Sequence, residues 1–239
     1  MRKVVGIHSC LEALRVRPKS VKAVYIKKGK KPQVNQIQSI IEMAQKYRIK
    51  IIEKDMSFFE NVAQTHQGIC IEVSDGPQFS WESLENKEKC TLVFLDELED
   101  PHNLGAILRT CWLFGVVAVF VTSRRSASLT PAAAKVASGA AEHVPIVELN
   151  NFTAALQDLK NMGFWVYGMS EKAKETVAQT QFSEKSVLIV GAEGKGLRKS
   201  TLGFCDQLVA LPQVEKSASL NASVAASLVI YEATKSHFS

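Results

Sequence analysis

Long apolar runs are missing from this chain. No uninterrupted apolar stretch reaches the ~18 residues that a membrane-spanning helix needs, which argues against a helical membrane protein. Cysteine is sparse and unpatterned: Cys10, Cys70, Cys90, Cys111 and Cys205 are widely spread, and no C-x-x-C occurs. This excludes a disulfide scaffold and suits a reducing, cytoplasmic setting. Cys70 and Cys111 fall inside apolar runs and read as small core residues. The histidines, His8, His66, His102, His143 and His237, lack ligand spacing, so no metal site is expected. No G-x-S-x-G nucleophile elbow exists. Met1-Arg2-Lys3 leads into Val-Val-Gly-Ile-His and not into a long apolar segment, so no signal peptide is expected. Internal repeats and low-complexity tracts are absent as well.

What is present is a core-rich, mildly basic chain of 239 residues, 46% hydrophobic, with a net charge of +5. That length holds two small domains or one large one. The charge is compatible with nucleic acid and does not require it. Residues 1–73 alternate helix and strand. Ile7, Leu11 and Leu14 have helical spacing, VKAVYIKK (Val21–Lys28) reads as a strand, and a helix spans Pro32–Arg48. Further strands fall at Lys50–Glu53 and Gly68–Val73, with a helix over Ser57–Gln64. Lys27, Lys28, Lys30 and Lys31 cluster around Gly29 and are candidate nucleic-acid contacts, though a solvated turn has the same composition. Residues 74–90 mix Gly, Pro, Ser and charge and read as a linker, with a meandering domain edge as the alternative.

From residue 91 the strands lengthen. LVFLDEL, VVAVFVT, HVPIVEL, FWVYGMS, SVLIVGAE and QLVALP alternate with helices, the pattern of a parallel sheet covered on both faces. The expected class is therefore α/β, with a larger parallel-sheet domain over 91–239 behind a small α/β domain over 1–73. Three polar loops leave these strands, where open α/β sheets bind ligands. In NLGAILRTCW, Leu104, Ile107, Leu108, Cys111 and Trp112 form a helical core stripe, and Arg109 lies off it. Asn103 is placed either as the cap of that helix or as a site residue. GAEGKGLR follows an apolar strand but fails the P-loop spacing, since Gly196 is followed by Leu197 and Arg198. A nucleoside-type ligand fits this loop and a triphosphate does not. Glu193 within it is either functional or a plain surface carboxylate. SLNASVAASLVIYEA is apolar almost throughout, so it is buried or packed on another subunit. Ser219 and Asn221 stand at its start, as caps or as ligand groups.

In this order the three segments resemble the SpoU/TrmH family of RNA ribose 2′-O-methyltransferases, within the SPOUT superfamily. Asn103, Gly105 and Arg109 match the first family motif, Gly191–Leu197 the second, and Pro212 through Ser219-Leu220-Asn221-Ala222-Ser223 the third. The match covers Thr91–Lys235. GIHSCLEAL and THQGICIEV resemble the small RNA-binding domain of the family's 23S rRNA guanosine-2′-O-methyltransferases. One departure is Leu211-Pro212-Gln213-Val214-Glu215, where the family usually has Ile-Pro-Met followed by Gly. The resemblance implies S-adenosylmethionine as cofactor, a C-terminal trefoil knot, a homodimer, and 23S rRNA as partner, with no metal or membrane. It implies catalytic roles for Arg109, Asn103, Glu193, Ser219 and Asn221, and cofactor contacts from Gly191, Leu211 and Leu220. The rival readings are methylation of tRNA or of an antibiotic-target rRNA site, and a non-catalytic RNA-binding protein of ribosome assembly.

Overall fold

The computed structural model describes residues 1–29, 35–63, 66–215 and 218–238. Lys30 and Lys31, two of the expected RNA contacts, lie outside these residues. The first part of the chain runs β1 (Arg2–Val5), α1 (Ile7–Val16), β2 (Val21–Lys27), α2 (Asn35–Lys46), β3 (Lys50–Lys54), α3 (Met56–Glu60) and β4 (Ile69–Val73). It forms a four-stranded sheet in the order β1-β4-β2-β3, with only the β2–β3 pair parallel. One face packs Val4, Val24, Ile69 and Ile71 beneath the apolar sides of α1 and α2. Among the described residues, the short α3 packs on the other face, with Phe59 buried against Val5 and Cys70.

The second part runs β5 (Cys90–Asp96), α4 (Pro101–Leu113), β6 (Ala118–Thr122), α5 (Pro131–Ala137), β7 (Ile146–Leu149), α6 (Phe152–Asn161), β8 (Trp165–Met169), β9 (Glu175–Thr176), β10 (Lys185–Gly191), α7 (Lys199–Leu202), β11 (Gln207–Ala210) and α8 (Ala222–Thr234). Its strands form a seven-stranded sheet in the order β7-β6-β5-β10-β8-β11-β9, parallel at every paired strand. The apolar runs have a direct cause. Val93, Leu95, Val119, Val121, Leu188 and Val190 point to one face, under α4 and α8. Leu92, Phe94, Phe120, Val187 and Ile189 point to the other, under α6. With both faces covered, each strand reads as continuous apolar sequence.

The 74–89 stretch does not hang free along its whole length. Phe79 meets the Phe120 ring edge-on at 5.1 Å, Trp81 lies tilted against it at 5.5 Å, and Leu84 is fully buried. The two sheets also meet directly. Arg2 of β1 and Arg17 just after α1 both reach the buried Glu142 carboxylate, at 2.6 and 2.5 Å. Glu12 of α1 pairs with His143 at 2.9 Å, and the His143 ring stacks on Trp112 of α4 at 4.2 Å. The buried cysteines are held protonated: burial pushes Cys70 and Cys90 up to about 11.

Helix α4 departs from expectation at its start. Asp100, not Asn103, is its cap and accepts a bond from the His102 amide at 2.9 Å. The cap thus falls three residues before Asn103, and the helix begins on Pro101, whose fixed φ suits a first turn. This leaves the Asn103 side chain free to reach elsewhere. Gly105 sets how closely α4 meets α5, because a Cβ there would stand 2.4 Å from the Ala133 carbonyl oxygen. Gly105→Ala is therefore expected to cost about 1–3 kcal/mol through overpacking against backbone. A lower urea midpoint at unchanged m-value checks this.

Candidate active site

The carboxyl ends of β5, β8, β10 and β11 open on one edge of the larger sheet, and the loops that leave them define the site. Glycine shapes the loop after β10. A Cβ on Gly191 would fall 2.3 Å from the carbonyl carbon of Gly196, so the chain folds back on itself there only because Gly191 lacks a side chain. The Gly196 amide closes the turn on the Ala192 carbonyl at 2.9 Å, with Gly196 at φ +66°. The loop is anchored at its far end by Arg198. Its backbone amide and its Nε donate to the two oxygens of Asp96, at 3.0 and 2.5 Å. Asp96 is fully buried at the end of β5.

Held in this way, the loop presents Glu193. Its Oε1 accepts from Asn103 Nδ2 at 3.0 Å, from Asn221 Nδ2 at 2.9 Å and from the Ala222 amide at 3.2 Å. One carboxylate oxygen thus joins the start of α4, the glycine loop and the start of α8. Asn221 also caps α8, since its Oδ1 accepts from the Ser223 and Val224 amides at 2.9 and 3.4 Å. Of the two readings that the sequence left open for Asn221, the cap holds in the geometry, and the same side chain also contacts Glu193. Asn103 is buried, and no cap role falls to it.

Beside this node lies a cleft of ≈ 540 Å³ bordered by Gly191, Glu193, Gly196, Leu211, Ser219 and Leu220. All three residues expected to touch the cofactor are on its wall. Its size lies within the range of small-molecule sites, and the glycine-rich Gly191–Gly196 turn leaves backbone groups open to a nucleoside. The residues present fit such a ligand. Arg109 stands apart. It is exposed on α4 and is not on the cleft wall. Leu113, one turn further along the helix, is 62% exposed, and the neighbouring α8 exposes Val224, Leu228 and Tyr231. Thr110 and Ser227 hydroxyls, 2.8 Å apart, tie α4 to α8 beneath this surface. In the first sheet, Lys27 is half-buried at the end of β2, and Lys28 is exposed and pairs with Asp55 at 3.6 Å.

Sequence reasoning overlooked Asp96 and Arg198. A carboxylate ending a fully apolar strand was the available signal, and so was an arginine closing a glycine loop.

The class of protein follows from comparison with known families. The SpoU rRNA Methylase family model matches residues 90–231, and the chain belongs to that family. A second family model, RNA 2′-O ribose methyltransferase substrate binding, matches residues 3–78. Among relatives, the 23S rRNA (guanosine-2′-O-)-methyltransferase RlmB of Pseudomonas aeruginosa is 39% identical over 236 residues, covering 96% of this chain and 94% of the relative. RlmB of Pseudomonas syringae pv. tomato is 37% identical, covering 98% and 96%. Among solved structures, the SpoU methyltransferase AviRb from Streptomyces viridochromogenes, in complex with AdoMet, superposes with a TM-score of 0.84 over 99% of this chain and 90% of its own. It is 19% identical, so the likeness concerns the fold.

The node generates a structural expectation. Glu193→Ala removes the acceptor shared by Asn103, Asn221 and Ala222. Amide hydrogen exchange at Ala222 should accelerate, while the β5 amides keep their protection. Unchanged exchange at Ala222 would show that the node does not hold α8.

Proposed function

We propose that this protein transfers a methyl group from S-adenosylmethionine to the 2′-hydroxyl of a guanosine ribose in 23S rRNA. The observation that carries the reading is the Glu193 node beside a nucleoside-sized cleft, in a chain that matches RlmB relatives along nearly its whole length. Within this reading, residues 1–73 are the substrate-RNA-binding domain, with Lys27, Lys28, Lys30 and Lys31 among its contacts. Residues 74–90 are the linker and 91–239 the methyltransferase domain. The protein works in the cytoplasm. The insertion of β10 between β5 and β8 supports a C-terminal trefoil knot.

Gly191, Leu211 and Leu220 would hold the cofactor, which when bound supplies a methyl group on a positively charged sulfur. A ribose hydroxyl is a weak nucleophile and sheds its proton as it attacks, so the protein must position it and stabilise the charge that develops. A guanidinium is a poor base, so the role proposed for Arg109 is to stabilise the nascent alkoxide. Glu193 fixes Asn103 and Asn221, and Ser219 and Asn221 orient the ribose and its phosphate at the mouth of the cleft. Purified protein given unmodified 23S rRNA and labelled cofactor should yield 2′-O-methylguanosine on nuclease digestion. Arg109→Ala should keep its melting temperature and cofactor affinity while single-turnover transfer falls about 100- to 1000-fold. Transfer at the wild-type rate would remove Arg109 from the mechanism.

The protein acts as a homodimer through α4 and α8. Leu113, Val224, Leu228 and Tyr231 are 62%, 46%, 44% and 48% exposed and supply the apolar patch that a partner would cover. Arg109 shares this surface, which brings it to the dimer seam. Light scattering at micromolar concentration should give twice the 26.3 kDa chain mass. Leu228→Glu should shift the protein toward monomer. A fully active wild-type monomer would remove the dimer from this reading.

A further inference from the structure

The face of the first sheet that α1 and α2 leave uncovered is unlike the rest of the molecule. Alternation along the strands places Lys3 on β1, Glu72 on β4, Tyr25 and Lys27 on β2, and Lys50 and Lys54 on β3 on this one side. Cross-strand pairs confirm the register: Lys3 faces Glu72, Tyr25 faces Cys70, and Lys27 faces Lys54. The four lysines span the sheet from edge to edge, about 14 Å at ordinary strand spacing. Glu72 is the one acid among them, and its carboxylate is occupied by the Tyr25 hydroxyl at 2.9 Å.

Aromatic rings lie between the charges. Phe58 of α3 is half-buried, with its ring 4.9 Å from that of Tyr25. The Lys3 and Lys54 ammonium groups stand 4.8 and 5.5 Å from the Phe58 ring centre. Beneath, Phe58 rests edge-on against the buried Phe59 at 5.2 Å, which fixes its orientation. A half-open ring flanked by cations on a flat sheet has the chemistry that a splayed single strand needs. Base faces stack on the rings, and phosphates meet the ammonium groups. Duplex RNA does not fit this chemistry, because its bases are already stacked and proteins read it by shape.

We infer that this open sheet face, centred on Phe58 and Tyr25 and bordered by Lys3, Lys27, Lys50 and Lys54, is a binding platform for single-stranded RNA. The inference deepens the proposed function and rests on the reading that the chain acts on RNA. It locates RNA binding on the sheet surface as well as at the basic turn after β2. Bases stack on Phe58, and the lysines on either side carry the flanking phosphates.

The test uses the full chain, with a fluorescein-labelled single-stranded RNA of mixed sequence and deproteinised 23S rRNA as probes. Phe58→Leu should weaken binding of both about tenfold and leave the salt dependence unchanged, since stacking releases no counterions. The double variant Lys3→Gln/Lys54→Gln should weaken binding and reduce the slope of log affinity against log salt by roughly one to two. Melting temperature and S-adenosylmethionine affinity should stay at wild-type values in both, and the polar double variant reports even if Phe58→Leu perturbs α3. Wild-type RNA affinity in both variants, with methyl transfer intact, would overturn the platform and leave the proposed function standing. A change of oligomeric state at unchanged RNA affinity would assign the face to a second copy of the chain and overturn it equally. A wild-type protein that binds neither RNA would instead undo the proposed function itself.

Discussion

Three loops that are distant in sequence converge on one carboxylate oxygen, and the site exists because they do. Glu193 Oε1 accepts from Asn103, from Asn221 and from the first amide of α8. A carboxylate can serve several donors at once because an ionised acid only accepts. An amide or hydroxyl in its place would bring its own donors into the cluster. The Asp96–Arg198 pair stands behind this node. It pins the far end of the glycine loop to the end of β5, so that the Glu193 backbone is placed before its side chain makes any contact. The order of dependence runs from a buried aspartate, through a tightly folded glycine turn, to the exposed carboxylate that gathers the asparagines.

Much of this was legible in the sequence, for a simple reason. Strands buried on both faces leave long apolar runs, and a helix packed on one side leaves a stripe, so β5, β6, β10 and α4 declare themselves. Arg109 was readable as off the stripe, and it is exposed. The sequence left Asn103 open as cap or site residue, and the cap of α4 fell to Asp100, an equally good cap residue. The tie was broken by Pro101, which starts the helix early, and by the pull of Glu193 on Asn103. Pairings across long separations had no local signature. Asp96 and Arg198 lie 102 residues apart, and Asn103 and Glu193 lie 90 apart. Periodicity reports which side of an element is buried. It does not report which polar groups meet at its end.

The same contrast governs the first sheet. Its packed face was visible as apolar alternation. Its other face looked like scattered lysines, because residues on four strands come together only after β4 inserts between β1 and β2. The basic turn drew attention because its charges are adjacent in sequence. The sheet lysines are adjacent only in space.

Glu142 has a consequence for how this protein can be rebuilt. Its side chain is almost inaccessible to water, and its partners, Arg2 on β1 and Arg17 at the end of α1, belong to the first part of the chain. Losing both arginines would strand an ionised acid in the seam, a cost of several kcal/mol. The two halves are therefore not interchangeable cassettes. A graft of the amino-terminal half onto a foreign methyltransferase half would have to carry the acid and both bases as a matched set, together with the Glu12–His143 contact beside them.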